Sequence, residues 1–273
     1  MTISTMRAAE DQPVEGTLRA WLSQTLPLTG RQLTVWARQP FTLAQSILMP
    51  ALTMLLFKIV LGDSITQVTG QSFAFNMVPM IVLTGAMFGS MAAAVRLNQE
   101  RATGLLTRLY VMPINRAADV SSRIISELIR ILVTTVVLLA AGHLVGFRFN
   151  QGPLAAIGLV GIAFLYGVAF SMMVLALAVN TRPNAPLVPY LSLLSSVLMF
   201  FNSGFVPVQM YPGWIQPLVT YQPMTPAINT MRSLAVGGPI ATDLVLVIAW
   251  SVALLGIFTY PALSGYRKAA ASR

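Results

Sequence analysis

The chain has 273 residues, of which 56% are hydrophobic and 9% are charged, whereas soluble domains carry about 25% charged residues. So few charges cannot cover a water-facing surface, which excludes an ordinary soluble protein and predicts an integral membrane protein. Cysteine is absent, which excludes disulfides and thiolate metal sites. The net charge of +9 fits either a nucleic-acid partner or the basic residues that accumulate on cytoplasmic loops of membrane proteins.

Residues 1–40 are predicted to form a cytoplasmic segment that ends in an amphipathic helix. Residues 16–39 mix Leu and Trp with Arg, which is typical of a helix lying along a membrane surface. We expect Pro27 to break this helix. Pro40 then lets the chain turn into the first membrane span, because the residue before a proline resists helix.

Six segments are long and apolar enough to cross a membrane, which requires about 20 residues at about 1.5 Å rise each. The predicted fold is therefore all-α, with one six-span domain over residues 41–263 and a cytoplasmic tail over residues 264–273. The predicted spans are residues 41–61, 73–96, 118–146, 153–179, 185–206 and 244–263.

The distribution of basic residues predicts the orientation of these spans. With six spans both termini lie on one side, and that side holds 13 of the 17 Lys and Arg residues. The opposite side receives only Arg148 and Arg232, while Lys58 and Arg130 fall within spans. Both termini are therefore predicted to be cytoplasmic. The positive charge is explained by topology, and we expect no nucleic-acid partner.

Residues 207–239, between the fifth and sixth spans, are too polar and too rich in proline to cross a membrane alone. Tyr211, Trp214 and Tyr221 suit the interface between water and lipid. We predict one or two short helices that dip into the outer leaflet. Two interpretations stay open for this segment, namely an extracellular gate and a packed external connector.

No catalytic or cofactor chemistry is predicted for this chain. A P-loop requires a Gly-rich loop that ends in Lys, and neither Lys58 nor Lys268 follows such a loop. His143 is the only histidine, and one His without nearby carboxylates does not make a metal site.

The third span carries three charges, Arg123, Glu127 and Arg130, at positions i, i+4 and i+7. This spacing places them on one helical face, where Glu127 can pair with either Arg. Ionisable residues within a membrane often mark ion pathways, so an ion-coupled secondary transporter that uses this cluster is one alternative function. The other interpretation is a structural cluster of ion pairs near the inner interface.

Two further features of the spans leave alternatives open. Gly85 and Gly89 form a GxxxG pair in the second span, which permits a close helix contact within the chain or between subunits. The fifth span offers polar, Met and aromatic side chains that suit varied apolar cargo, although ordinary core packing explains them equally well. These residues are Ser192, Ser195, Ser196, Met199, Phe200, Phe201 and Asn202.

The connection between the second and third spans, LNQERATGLLTRLYVMPINR (residues 97–116), gathers charge around a Leu-rich run. We expect Thr103 to cap a new helix, Gly104 to let the chain bend and Pro113 to end the helix. Such a short amphipathic helix can rest on lipid or fill a groove in another protein. For the whole chain, a non-transporting membrane scaffold is a further alternative beside the ion-coupled transporter. The apolar stripe of the helix consists of Leu105, Leu109 and Met112.

This order of Glu, Gly, Leu-rich helix, Pro and Arg resembles the coupling region of ABC-2 type transporter permeases. Four tracts, HLVGFRFNQG (143–152), YPGWIQPLVTYQP (211–223), MRSLAVGGP (231–239) and SGYRKA (264–269), are similar to daunorubicin/doxorubicin-resistance-type permeases of actinobacteria, especially the mycobacterial DrrC-like subunits. The ATPase-coupling residues that the resemblance implies are Glu100, Arg101, Gly104, Leu105, Arg108, Leu109 and Pro113, followed by Arg116.

The resemblance implies an ABC-2 permease fold with an N-terminal interfacial helix, a cytoplasmic coupling helix and an outer re-entrant segment. It also implies a non-catalytic subunit of an exporter that moves lipophilic drugs or complex cell-envelope lipids out of the bacterial cell membrane. Two separate cytoplasmic ATPase subunits would bind ATP and Mg, and a second, related permease chain would complete a heterodimer. The remaining partner is membrane lipid.

Overall fold

The computed structural model of the chain describes residues 18–69, 72–104, 116–182 and 187–271. The chain contains a π-helical turn at Ala44–Leu48 and a 3-10 turn at Val208–Met210. No strand occurs in the described ranges, and the prediction of an all-α fold is confirmed. The helices are α1 Leu18–Ala37, α2 Pro40–Leu43, α3 Met49–Thr69, α4 Phe73–Ala102, α5 Arg116–Val145, α6 Gly152–Asn180, α7 Leu187–Phe200, α8 Gln216–Tyr221, α9 Met224–Val236 and α10 Ala241–Ala271.

Four of these helices, α4, α5, α6 and α10, are long and apolar enough to cross a membrane. Two shorter apolar helical stretches, Ala44–Val60 and Pro189–Phe200, coincide with the predicted first and fifth spans. Each predicted span therefore corresponds to a helix in the structure. The tail predicted for residues 264–273 continues α10 as helix up to Ala271.

The fifth span is shorter than predicted, because α7 ends at Phe200 rather than near residue 206. The side-chain amide of Asn202 donates to the carbonyl oxygens of Leu198 (2.9 Å) and Met199. Its side-chain oxygen accepts from the backbone N–H of Gly204 at 2.7 Å. The side chain thus occupies carbonyls that the next helical turn would need, and the helix ends there.

The predicted break of the N-terminal helix at Pro27 is wrong, because α1 runs from Leu18 to Ala37 with Pro27 inside it. Contacts with α5 hold both halves of α1. The indole Nε1 of Trp21 donates to Ser121 Oγ at 3.1 Å, and Gln32 Nε2 donates to Ser122 Oγ at 3.3 Å. An interior proline costs about 3 kcal/mol in an isolated helix, and such tertiary contacts offset this cost.

The central helix is α4, which contacts α3, α5, α6, α7 and α9. Its side chains Met77, Met80, Leu83 and Met87 are completely buried. A helix that is apolar on all faces is expected at the core of a bundle. Because α4 connects at one end to the predicted coupling segment, it links that segment directly to the rest of the bundle.

The segment between the fifth and sixth spans closes the bundle at the start of α4. It contains the two short helices α8 and α9, and α9 packs against α4, α6 and α10. Ile228, Thr230 and Met231 of α9 are fully buried, whereas Trp214 and Tyr221 are exposed. The exposed rings suit an interface with lipid headgroups.

Candidate functional site

The end of α4 carries the described half of the predicted coupling segment. The helix stops at Ala102, and the hydroxyl of Thr103 donates back to the carbonyl of Gln99 at 3.0 Å. Gly104 follows with φ of +70°, a left-handed conformation that favours glycine and commonly ends helices. Thr103 therefore closes α4, which the sequence did not suggest, and Gly104 provides the predicted bend.

The other half of the predicted coupling segment, residues 105–115, lies outside the described residues. The helix predicted for this half, and the contribution of its side chains to ATPase coupling, remain predictions. The predicted coupling residues in this half are Leu105, Arg108, Leu109 and Pro113.

Arg101 joins the end of α4 to the end of α6. Its Nη1 donates to the carbonyl oxygens of Ala178 (2.7 Å) and Thr181 (2.9 Å). The last carbonyls of a helix have no partner within the helix, and the partial negative charge at this end favours a cation. Arg101 is therefore a cap for α6 that is supplied by α4.

Asn180 extends this connection from α6 to α10. Its side-chain amide donates to the carbonyl of Pro261 at 2.9 Å and to Ala176 within its own helix at 2.8 Å. Arg101 thus links the end of α4 to the end of α6, and Asn180 links the end of α6 to Pro261 of α10.

Glu100 connects the same end of α4 to α5. Its carboxylate lies 2.8 Å from Nη2 of Arg123, and both side chains are largely buried. The Arg123 guanidinium also lies over the ring of Tyr266 in α10, 5.3 Å from the ring centroid, a geometry that favours cation–π attraction. Arg123 therefore pairs with a carboxylate from another helix, α4.

We call this set of contacts the base, which consists of Glu100, Arg101, Arg123, Asn180 and Tyr266. It fastens α4, α5, α6 and α10 together at the end of the bundle where the predicted coupling segment begins. Sequence reasoning missed Asn180 and Tyr266. The only available signals were an Asn at the end of an apolar run and the Tyr within the tract SGYRKA.

Glu127 pairs with Arg130, one turn further into the bundle. Nε of Arg130 donates to Oε2 at 2.9 Å, and Nη2 donates to Oε1 at 2.5 Å. Ser90 of α4 and Ser171 of α6 donate to Oε1 at 3.2 and 2.9 Å. A buried ion pair needs such additional hydrogen bonds, so this geometry favours the structural interpretation of the charges.

The GxxxG pair of α4 packs within the chain. A Cβ atom on Gly85 would lie 2.5 Å from Cδ1 of Leu138, and one on Gly89 would lie 1.7 Å from Nη1 of Arg130. Both neighbours belong to α5, so the two glycines allow α4 and α5 to approach closely.

The residues proposed for a cargo path do not form one open surface in the single chain. Ser195 and Asn202 are buried, and the Ser195 hydroxyl points to Sδ of Met91 in α4 at 3.7 Å. Phe200 is 57% exposed, which leaves it available for a partner, cargo or lipid. Ser192, Ser196 and Met199 are half-buried between these extremes.

Comparison with known proteins identifies relatives along nearly the whole chain. Residues 23–236 match the ABC-2 type transporter family. The chain is 39% identical over 251 residues to the probable doxorubicin resistance ABC transporter permease protein DrrC of Mycobacterium tuberculosis, with 92% of this chain and 91% of that protein covered. The predicted family resemblance is confirmed.

Two further relatives are more distant. A daunorubicin resistance ABC transporter permease protein of Streptomyces coeruleorubidus is 24% identical over 265 residues, which cover 97% of this chain and 92% of that protein. The doxorubicin resistance ABC transporter permease protein DrrB of Mycobacterium tuberculosis is 26% identical over 157 residues, which cover 58% of this chain and 54% of that protein. The chain is therefore similar to two different permeases of one organism.

Proposed function

Because this chain belongs to the ABC-2 type transporter family, we propose that it is the membrane (permease) subunit of an ATP-binding-cassette exporter. The similarity to a doxorubicin resistance permease over nearly the full length of both chains is the observation that carries this proposal. The cargo would be lipophilic drugs or complex cell-envelope lipids, moved out of the bacterial cell membrane. ATP and Mg would be bound by separate cytoplasmic ATPase subunits, two in each complex.

The base supplies a route by which an ATPase would move this subunit. Glu100 and Arg101 lie in the described half of the predicted coupling segment, where they contact α5 and α6. A force applied to residues 105–115 would therefore reach α4, α5, α6 and α10 together. ATP must bind one arrangement of the assembly better than the other, and a base that moves as one unit would convert this difference into movement of the spans.

A second, related permease chain is proposed to cover the apolar side chains that α3 and α7 each expose. Large side chains are exposed on both helices, including Leu56 and Ile59 on α3 and Tyr190 and Leu193 on α7. The similarity to two distinct permeases of one organism supports a heterodimer. The same side chains also meet lipid in any chain that is not paired.

Both termini, and with them the base, are proposed to be cytoplasmic. The support is the excess of Lys and Arg on that side of the predicted spans, since such residues accumulate on cytoplasmic loops. This orientation would place residues 105–115 within reach of a cytoplasmic ATPase.

The proposed function is tested by purifying the full-length chain in mild detergent from cells of its own source. A P-loop ATPase and a second permease are expected to copurify. Liposomes that contain the purified complex are expected to move daunorubicin only when ATP and Mg are present on the ATPase side. Vanadate, which traps ATPases of this class, should stop this movement.

The alternatives predict different results in the same assay. An ion-coupled transporter that uses Arg123, Glu127 and Arg130 would work without the ATPase and would stop when a proton ionophore is added. A scaffold would copurify with partners but move no cargo. Either result would contradict the exporter proposal.

A further inference from the structure

A cavity of about 80 Å³ lies at the base end of the bundle, between α1, α4, α5 and α6. We call it the base cavity. Its polar lining consists of Gln32, Ser90, Arg96, Arg123, Glu127 and Ser171. A smaller cavity of about 20 Å³ shares Gln32, Arg96, Arg123 and Glu127 with it and adds Trp36 and Arg130. One water needs only about 10–15 Å³, so the base cavity has room for a larger group.

The charges of this lining do not balance. Glu127 is already bound by Arg130 through both of its oxygens, and Arg123 pairs with Glu100. Arg96, which is half-buried, forms no hydrogen bond or salt bridge with any described part of the chain. The lining therefore carries an excess positive charge that an anion would neutralise.

Unsatisfied hydrogen-bond donors near the two cavities also favour a bound acceptor. Nε1 of Trp36 and Nη1 of Arg130, whose side chains line the smaller cavity, are buried and have no hydrogen-bond partner among the described residues. Both atoms are donors, and neither side chain can accept a hydrogen bond. Leaving a buried donor without a partner is costly, so an acceptor would be favoured in the smaller cavity, which shares four lining residues with the base cavity.

One wall of the base cavity is apolar. The apolar lining includes Leu128 of α5 and Met172 and Leu175 of α6, and all three side chains are half-buried. A free inorganic anion would leave this wall without a partner. An amphiphile with an anionic head and a hydrocarbon chain would match both the basic lining and the apolar wall.

We propose that the base cavity binds the phosphate group of an anionic phospholipid from the adjacent leaflet. Basic pockets between membrane-spanning helices are known to hold such headgroups. Arg96 supplies the uncompensated charge, and the acyl chain lies along Leu128, Met172 and Leu175. Under the proposed orientation this leaflet is the cytoplasmic one. The bound lipid would contact α1 and α4–α6 together, and so would stabilise the docking of the N-terminal helix on the base.

The test measures lipid binding directly and does not depend on transport. The full-length chain, with the partners that it retains in mild detergent, is titrated with phosphatidylglycerol, phosphatidylcholine and inorganic phosphate. Native mass spectrometry counts bound lipid, and thermal unfolding reports stabilisation. Phosphatidylglycerol is expected to remain bound and to raise the unfolding temperature. The zwitterionic lipid and inorganic phosphate are expected to do so much less.

Arg96→Gln is expected to weaken phosphatidylglycerol binding by about tenfold, because a charged hydrogen bond is lost. Arg96→Lys keeps the charge and should restore most of the binding. Met172→Trp leaves every charge in place and fills the apolar wall, so it should lower lipid binding as well. Arg148→Gln, which removes an exposed Arg at the opposite end, is the matched control and should bind like the unaltered chain.

Three outcomes would overturn the proposal. Arg96→Gln and Met172→Trp could both bind phosphatidylglycerol normally, which would place the lipid elsewhere. Inorganic phosphate could stabilise the chain as strongly as the lipid, which would leave the apolar wall without a role. Equal binding of both phospholipids would show that the positive charge does not determine which lipid binds. None of these results bears on whether an ATPase drives the subunit, so the two proposals fail independently.

Discussion

A Cβ atom on Gly89 would lie 1.7 Å from Nη1 of Arg130, so the buried guanidinium occupies the space that any side chain at Gly89 would need. The position of Arg130 in turn fixes Glu127, because the two groups share two hydrogen bonds. The close approach of α4 to α5 and the buried ion pair are therefore one feature of the structure rather than two.

Gly89→Ala is expected to destabilise the protein strongly. The new methyl group would displace Arg130 from Glu127 and leave a buried carboxylate without its partner, which typically costs about 3–5 kcal/mol. Thermal unfolding in detergent checks this prediction. Gly161→Ala is the control, because nothing lies within 4 Å of a Cβ at that position in α6. Equal unfolding temperatures for the two variants would contradict the prediction.

The ion pair between Glu100 and Arg123 is expected to show energetic coupling in a double-mutant cycle. Glu100→Gln, Arg123→Gln and the double variant are compared by thermal unfolding. Groups in direct contact usually couple by about 0.5–3 kcal/mol. Arg123→Gln should be the more damaging single change, because it also removes the contact with the Tyr266 ring. Strictly additive effects would show that the pair contributes nothing.

The positions of the helices were predictable from the sequence because each long apolar run must bury its backbone polar groups in helix. Some of their ends were not. The end of α7 depends on the side chain of Asn202, and the continuity of α1 past Pro27 depends on contacts with α5. Both are tertiary effects that override local propensity.

The shared helical face of the three charges was predictable from their spacing, but the ion pairs that they form were not. Helical spacing places Arg123, Glu127 and Arg130 on one face, and it leaves the choice of partner open. Glu100 competes for Arg123 from another helix. Similarly, Arg101 was identified as part of a resembling motif, whereas its role as a cap for α6 requires knowing that two helix ends meet.

Tyr211 is expected to make stability depend on pH in the alkaline range. Burial raises the pKa of its hydroxyl above the usual 10. The folded state therefore favours the protonated form. Its contribution to stability should be complete below about pH 10 and should be lost as the pH rises through the folded pKa.

This dependence is checked by measuring unfolding temperatures between neutral and strongly alkaline pH. Tyr211→Phe should lower stability at neutral pH, because the hydroxyl donates to the carbonyls of Phe200 and Asn202. The variant should lose less stability than the unaltered chain as the pH rises. Tyr221→Phe changes an exposed tyrosine and should keep the original pH profile. A Tyr211→Phe profile that runs parallel to the unaltered one would contradict this account.

Arg101→Ala is expected to uncouple ATP hydrolysis from transport. The substitution removes both hydrogen bonds to the end of α6, and bonds to a charged group contribute about 1.5–3 kcal/mol each. The loss of even one such bond corresponds to about tenfold or more in the equilibrium between α6 held to α4 and α6 detached from it. ATP-driven daunorubicin movement in liposomes should fall accordingly, while insertion and copurification of the ATPase remain intact.

The chain contains a closely matched control for this variant. Nη1 of Arg148 also donates to two backbone carbonyls, those of His143 (2.7 Å) and Phe147 (3.0 Å), but it lies at the opposite end of the bundle. Arg148→Ala removes the same chemistry without touching the base, so it should transport like the unaltered protein. If both variants lose transport equally, the loss reflects general destabilisation. If neither variant loses transport, the contact between Arg101 and α6 is not needed for coupling. The movement of the ATPase must then reach the spans through Glu100 or through residues 105–115 alone.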